Sequence, residues 1–413
     1  MFLSSRIKNV NESITLKLNE KAQKRAESGK QVFNLTAGQL PFRPQQYFLD
    51  CIDSEMKFLK SFQYSPVAGT SILRKKIIDY TSLSRNIDLK KYNMDCFISN
   101  GGKQAIYMAL GALIDPGDEV ILLAPYWISY PEMVKFWGGV PLTVEGQRYN
   151  SYIPHISDIE KLISARTKLI IINSPSNPTG VYYPADWMKD FACLMEKNKN
   201  LCVLSDEIYY ELAYFDPAPT YFYQYNEDLL DRTLIIDGIS KSMAATGLRI
   251  GYCMAKKELI EAMSKLQGQT TSGANSLVQM ALVQYDFKQI KDFIDPVKLH
   301  LRHNAEMIRK KFYQRGLESC WYQINSAFYY FIDFTKAPVF ARYAKGTAQE
   351  ESSEQDYATK ICEDLLDNFS IACVPGSDFG MKNSARISIV LEEAAFELAL
   401  ERLCDFLSDK KLT

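Results

Sequence analysis

Short apolar runs rich in β-branched residues alternate along the chain with longer stretches whose apolar positions recur every three or four residues. The runs Glu119–Ala124, Lys168–Asn173, Leu201–Ser205, Thr233–Asp237 and Arg249–Met254 read as strands. Their alternation with helical patterns predicts an α/β architecture, a mainly parallel sheet covered by helices. Gly101-Gly102 opens a helix over Lys103–Leu113 that carries Ile106, Leu110 and Leu113 on one stripe. The turn Asp115-Pro116-Gly117-Asp118 then leads into the next strand. From about Tyr285 onward the pattern changes to longer helices, His303–Arg315 and Glu392–Ser408, around strands Phe328–Phe334 and Ala385–Val390. That change predicts a second, smaller α+β domain. The polar stretch Lys345–Asp356 reads as a mobile surface loop.

A length of 413 residues agrees with two units, since a domain takes roughly 100–200 residues. With 47% hydrophobic and 23% charged residues the composition is that of a soluble globular protein. Lys plus Arg total 48 against 49 Asp plus Glu, so no broad field gathers nucleic acid or an anionic membrane. Small molecules are the expected partners. The basic stretch Lys21 to Arg25, interleaved with Ala22 and Gln23, reads as the solvated face of a helix. Nine scattered cysteines, odd in number and without a C-x-x-C pair, read as reduced, mostly buried thiols, and no metal site is expected. Met1–Val10 has no apolar core of a signal peptide, and no apolar run approaches the roughly 18–20 residues that span a bilayer. A cytoplasmic enzyme is the expectation.

The segment from Asp237 to Tyr252 places Lys241 just after an apolar strand and Arg249 eight residues later. Open α/β sheets bind ligands at the C-terminal ends of their strands. A lysine desolvated there, near other cations, loses enough basicity to form a Schiff base with an aldehyde. Arg249 is then placed to hold a phosphate through its planar fork. By itself this pattern is also that of an ordinary exposed turn. Asp206, in Ser205-Asp206-Glu207-Ile208-Tyr209, ends a neighbouring apolar run, where a carboxylate suits a protonated pyridine nitrogen. Its alternative is a helix N-cap, and that of Tyr209 is a core aromatic. Asn173-Ser-Pro-Ser-Asn-Pro-Thr-Gly180 follows a third strand as a rigid turn, from which Asn177 can donate to a phenolate oxygen.

These motifs, with Gly101-Gly-Lys-Gln104 and Ala124-Pro-Tyr-Trp-Ile-Ser-Tyr-Pro-Glu-Met133, occur in one order, and the chain resembles the class I/II aminotransferases from about Ser13 to Leu407. Within them it is most similar to the prokaryotic aspartate aminotransferase branch. The resemblance implies a large cofactor-binding domain over residues 46–284 with a mainly parallel, seven-stranded sheet. Residues 1–45 and 285–413 would form the N-terminal arm and a small domain that closes over the substrate. It implies pyridoxal 5'-phosphate as cofactor, Lys241 as its Schiff-base lysine, Asp206 on the pyridine nitrogen, and Asn177 with Tyr209 on the phenolate oxygen. Trp127 would stack on the ring, while Gly102, Lys103 and Arg249 would hold the phosphate. Arg386, in Ser384-Ala-Arg-Ile-Ser388, would grip the substrate carboxylate with help from the backbone at Gly38. Tyr64 would reach the phosphate of a neighbouring subunit, making a homodimer with shared active sites.

The implied activity moves an amino group between an L-amino acid and a 2-oxo acid by a ping-pong mechanism. Lys103 would meet the distal carboxylate of aspartate or glutamate, with Ser13–Thr15 closing over it. Prephenate or aromatic substrates are the alternative, and a carbon–sulfur lyase on the same fold is a more distant one. The chain also departs from the family pattern. Gln39-Leu40 stands where Glu-Pro is usual, Gly238 where many relatives have serine, Asn325-Ser326 for Pro-Gly, and Leu248 for tryptophan. Ser240 is the nearby hydroxyl that could replace the missing one.

Overall fold

The computed structural model describes Phe2, residues 14–344 and residues 355–410. Most of the expected loop at 345–356, and Ser13, therefore lie outside the described residues. The helix Ile14–Glu27 leads to β1 (Phe33–Asn34). The chain then builds β2 (Met94–Ser99), β3 (Glu119–Ala124), β4 (Val140–Glu145), β5 (Thr167–Asn173), β6 (Cys202–Asp206), β7 (Thr233–Gly238) and β8 (Gly251–Lys256). These seven pair in the order β2-β8-β7-β6-β5-β3-β4. All neighbours are parallel except β8, which runs antiparallel to both β2 and β7. The architecture is α/β with a mainly parallel sheet.

Two of these strands, β2 and β4, have no counterpart among the strands expected from the sequence. β4 alternates weakly and is half-exposed at the sheet edge, and β2 carries Asp95, which pairs with Arg74. Arg249 was expected to begin a strand. It instead adopts φ 56° in the left-handed region, and β8 starts two residues later. Its guanidinium donates to the carbonyls of Thr246 at 2.8 Å and Asn100 at 3.2 Å, which closes the turn.

The register puts the chemistry-bearing residues side by side. Asn173 pairs with Asp206, and Asp206 with Ile236, at the C-terminal ends of β5, β6 and β7. Because β8 returns antiparallel, Gly251 lies opposite both Ser99 and Gly238. The turn before the helix Gly102–Leu113 thereby meets the turn that carries Lys241 and Arg249.

Beyond Tyr285 lie the helices Gln289–Gln314, Ala358–Phe369 and Glu393–Leu407. They pack on an antiparallel sheet of β9 (Tyr329–Asp333), β11 (Val374–Pro375) and β12 (Ser384–Ser388), in the order β11-β12-β9. The first of these helices starts well before the expected His303 and passes through Pro296 without ending. β1 joins this region by pairing in parallel with β10 (Ile371–Ala372), and the Ser388 amide donates to the Leu35 carbonyl at 2.7 Å. Lys21 and Arg25 are not purely a solvated face, since both reach Asp367, at 2.9 and 2.8 Å. Among the described residues no helix is long and apolar enough to cross a membrane.

One buried charge cluster braces the ends of β6 and β7. Arg85, the last residue of the helix Ser71–Arg85, donates to Glu207 at 3.1 Å and Asp237 at 3.0 Å, and its guanidinium lies 3.3 Å from the Tyr210 ring centre. Burial raises Asp237 to about 7 against the opposing pull of Arg85. Its folded-state pKa exceeds the unfolded value, so the stability it contributes is present at low pH and is lost as pH rises through about 7. Without Arg85 both carboxylates would hold their protons to still higher pH. Arg85→Met is therefore expected to lower unfolding free energy by about 3–5 kcal/mol at pH 8, and by clearly less at pH 6, as read from urea unfolding at the two pH values.

Candidate active site

A cavity of about 690 Å³ opens at the C-terminal ends of the parallel strands. The large sheet supplies one wall, while Thr36–Gln39, Tyr329 and Arg386 supply the other. Lys241 sits in the short helix Ile239–Ser242 directly after β7, and its ammonium donates to the Gly38 carbonyl. Desolvation in the cavity lowers its pKa to about 8, with Arg386 and Arg249 adding to the effect and Asp206 opposing it.

Asp206 is the last residue of β6 and is buried. Oδ2 accepts the Tyr130 hydroxyl at 2.5 Å and Oδ1 accepts the Ile208 amide at 3.3 Å. Burial raises this carboxyl to about 6, while those two bonds and Lys241 hold it down. Asn173 ties the neighbouring parts together. Its amide nitrogen donates to the Asp206 carbonyl at 3.0 Å and its oxygen accepts the Asn177 amide at 2.8 Å. Asn177 Oδ1 in turn accepts from Arg386 at 3.0 Å, so the NH2 end of the Asn177 amide is the end that can donate elsewhere. Tyr209 lies behind Lys241 with its hydroxyl 3.1 Å from that of Tyr329.

Backbone crowding shapes the region around Gly102. A Cβ at Gly101, whose φ is 84°, would stand 2.3 Å from an Arg249 nitrogen, and one at Gly251 would stand 2.2 Å from the Gly102 amide nitrogen. The bare backbone thus brings Arg249 to the first turn of the helix Gly102–Leu113, where unpaired amides favour an anion. Among the described residues, this donor set and the neighbouring Ser240 fit a phosphate group. The Gly238 departure has a steric reason, since a Cβ there would come within 2.8 Å of the Gly251 Cα. Gln39, the other departure facing the cavity, accepts the Thr246 hydroxyl at 3.1 Å and so links the N-terminal loop to the turn after Lys241.

Arg386 lies in the middle of β12, buried, and donates to the Thr36 carbonyl at 2.8 Å as well as to Asn177. Its Nε is a buried donor without a partner, and burial presses its pKa down with no carboxylate to restore it. A buried guanidinium in that state calls for an anion. Lys103 projects over Trp127, its nitrogen 4.9 Å from the ring centre, and its pKa is lowered first by desolvation and then by Arg249. Gly38, Gly102, Lys103, Trp127 and Asn177 all line the cavity together with Asp206, Tyr209, Lys241, Arg249 and Arg386. Tyr64 does not; it is 94% exposed on the outside of the chain.

Sequence reasoning overlooked Tyr130, Asn173, Thr36 and Tyr329, each of which holds or lines this site. The signal for Tyr130 was its place one helical turn after Trp127. For Thr36 none existed, because what it offers Arg386 is a backbone carbonyl.

The profile of the family described as aminotransferase class I and II matches residues 30–403, and the chain belongs to that family. Aspartate aminotransferase of Geobacillus stearothermophilus is 33% identical over 409 residues, covering 98% of this chain and 99% of that one. Aspartate/prephenate aminotransferase of Thermus thermophilus is 31% identical, with 97% of each chain covered. The solved structure of Thermus thermophilus aspartate aminotransferase with maleate superposes with a TM-score of 0.85 at 28% identity, covering 98% of this chain and all of the other.

A Lys241 amine with a pKa of about 8 should be acylated at pH 7.5 well ahead of solvent-exposed lysines, whose ordinary pKa is about 10.4. Peptide mapping of the cofactor-free protein across pH 6–10 should give a labelling midpoint for Lys241 about two units below those lysines; a coincident midpoint refutes the depression.

Proposed function

We propose that the protein is a pyridoxal 5'-phosphate-dependent aminotransferase that moves an amino group between a dicarboxylic L-amino acid, aspartate or glutamate, and a 2-oxo acid by a ping-pong cycle. The observation that carries this reading is the convergence of Lys241, Asp206 and Arg386 on one cavity in a chain of this family. When bound, the cofactor supplies an electron-withdrawing ring that stabilises negative charge at the substrate α-carbon.

Each residue's part follows from its chemistry. Arg249, the Gly102 and Lys103 amides and Ser240 would hold the phosphate, and Asp206 would keep the ring nitrogen protonated. Asn177 and Tyr209 would donate to the phenolate oxygen, and Trp127 would pack on the ring. Arg386 orients the substrate through its α-carboxylate, in a bidentate fork for which its unpartnered Nε is available. With its pKa at about 8, Lys241 is partly neutral at working pH, which would let Nζ take a proton from the substrate α-carbon and deliver it to the cofactor carbon joined to the same nitrogen, the transfer that transamination requires.

Lys103 is our choice for the distal carboxylate. It is a cation at the cavity wall, held against Trp127, and a second carboxylate entering the cavity is costly unless paired. The relatives are named for aspartate, and one solved relative holds maleate, itself a dicarboxylate. Prephenate is the second reading, favoured by the relatives named aspartate/prephenate aminotransferase. The part expected of Ser13–Thr15 in closing over Lys103 falls on side chains outside the described residues.

We also propose that residues 46–284 form the cofactor-binding domain, that the arm and residues 285–413 close over it, and that the enzyme is a cytoplasmic homodimer. Exposed Leu59, Phe62 and Ile72, near Tyr64 along the chain, support the dimer, because large apolar side chains left in water are stabilised by burial against a partner. Nine free thiols suit a reducing compartment.

Borohydride reduction of the cofactor-loaded protein should fix the label on Lys241, and Lys241→Ala should abolish both label and turnover; a label on another lysine refutes the assignment. In a half-reaction panel followed by the cofactor spectrum, aspartate and glutamate should outpace alanine and phenylalanine. Lys103→Ala should cost dicarboxylates about 2–5 kcal/mol in transition-state binding and spare monocarboxylic donors. Equal loss for all donors removes the distal role, and release of pyruvate and ammonia would favour a lyase.

Shared sites have their own test. Tyr64→Ala, assayed at a cofactor concentration too low to load it, and Lys241→Ala, inactive at any, should regain about a quarter of wild-type activity when refolded together, since half the dimers are hybrids and each hybrid has one intact site of two. No recovery would mean that each subunit's site is self-contained.

A further inference from the structure

Asp206 is approached on one oxygen by Tyr130, the second residue of the helix Ser129–Phe136 that follows β3. Strand β5 lies between β3 and β6, so this 2.5 Å bond spans two strand spacings and links the turn that carries Trp127 to the end of β6. Both groups are buried. The Tyr130 ring is held in turn by Trp127, which meets it edge-on with ring centres 5.4 Å apart. Together with the Ile208 amide on Oδ1, the Tyr130 hydroxyl sets the plane of the carboxylate.

The other groups facing this pair do not duplicate the hydroxyl. Lys241 acts on Asp206 through charge alone, and Tyr209 and Tyr183 are phenols whose pKa values burial holds high, so they stay neutral. Arg386 and Arg249 act at longer range, on Tyr209 and Lys241. Burial pulls Asp206 towards its protonated form, and the Tyr130 bond is the strongest influence against it. A phenol that donates to a carboxylate stabilises the ionised state specifically.

We propose that Tyr130 is a positioning residue: it orients Asp206 and keeps it ionised, so that a shared proton resides on the base facing the carboxylate rather than on the carboxylate itself. The inference rests on the proposed function, in which that base is the ring nitrogen of pyridoxal 5'-phosphate. Removing the hydroxyl raises the proton affinity of Asp206. The proton then passes from the ring nitrogen to the carboxylate oxygen, both partners become neutral, and the ring loses its positive charge.

The test uses the cofactor-loaded protein, with the ring nitrogen of the cofactor labelled with 15N. In the wild type the resonance should stay at its protonated position between pH 6 and 9. In Tyr130→Phe, which keeps the ring and the packing, it should move towards the unprotonated position, and cofactor Kd should rise by roughly 10- to 100-fold. On an Asp206→Asn background the same substitution should change Kd by less than about twofold. An unmoved resonance in a folded Tyr130→Phe protein overturns the proposal, as does an equal loss of affinity on the Asp206→Asn background, which would mark a packing role. A wild type whose ring nitrogen is unprotonated overturns it too; the aminotransferase assignment stands or falls separately, on borohydride labelling at Lys241.

Discussion

Four cationic side chains, Lys103, Lys241, Arg249 and Arg386, converge on a cavity that offers them one carboxylate, Asp206. Such a concentration of positive charge is unfavourable unless each cation is held by something that does not neutralise it. For three of the four the structure uses carbonyl and amide oxygens, and Lys103 lies over the Trp127 ring. Gly38 holds Lys241, Thr246 and Asn100 hold Arg249, and Thr36 with Asn177 holds Arg386. These dipoles fix position and leave the charge available, so the site is built for anionic groups. The same crowding accounts for the depressed pKa of Lys241, to which Arg386 and Arg249 contribute after desolvation.

The adjacent acid follows the opposite rule. Glu207 is next to Asp206 in sequence, yet it turns away from the cavity and, with Asp237, neutralises the buried Arg85. Successive residues at a strand end face opposite sides, so two neighbouring carboxylates serve two purposes. Asp206 meets a neutral phenol and the cavity, whereas Glu207 meets a full positive charge and braces the strand ends that carry Asp206 and Lys241. This separation keeps the strongest ion pairing out of the site.

The cavity is composite, and its two walls come from distant parts of the chain. Arg386 and Asn177 are 209 positions apart, and Arg386 and Thr36 are 350 apart. The pairing of β1 with β10 and the Leu35–Ser388 bond carry the N-terminal segment to β12, which places Gly38 opposite Lys241. Gln39 completes the join through Thr246. A departure from the family pattern at this loop is thus absorbed by a side-chain hydrogen bond, and the one at Gly238 by close contact between backbones.

Much of this was legible in the sequence because it is local. Apolar runs ending in Asn173, Ser205 and Asp237 mark strands by composition alone, and their ordered motifs identify the family and the residues at the strand ends. β4, half-exposed at an edge, and β2, with its buried-side pairing to β8, lack that local signature, since their place depends on partners far along the chain. The left-handed turn at Arg249 and the use of the Thr36 carbonyl have no sequence signal, because backbone conformation and main-chain acceptors are chosen by packing. The place of Tyr130 was marked, one helical turn after Trp127, but its bond to Asp206 was not, because it crosses two strand spacings of the folded sheet. By itself the sequence determined which elements form and which chemical groups they bear, because periodicity and composition act over a few residues. Only the tertiary structure decided which of those groups meet, because side-chain direction and long-range pairing are settled when the sheet, its covering helices and the N-terminal segment pack together.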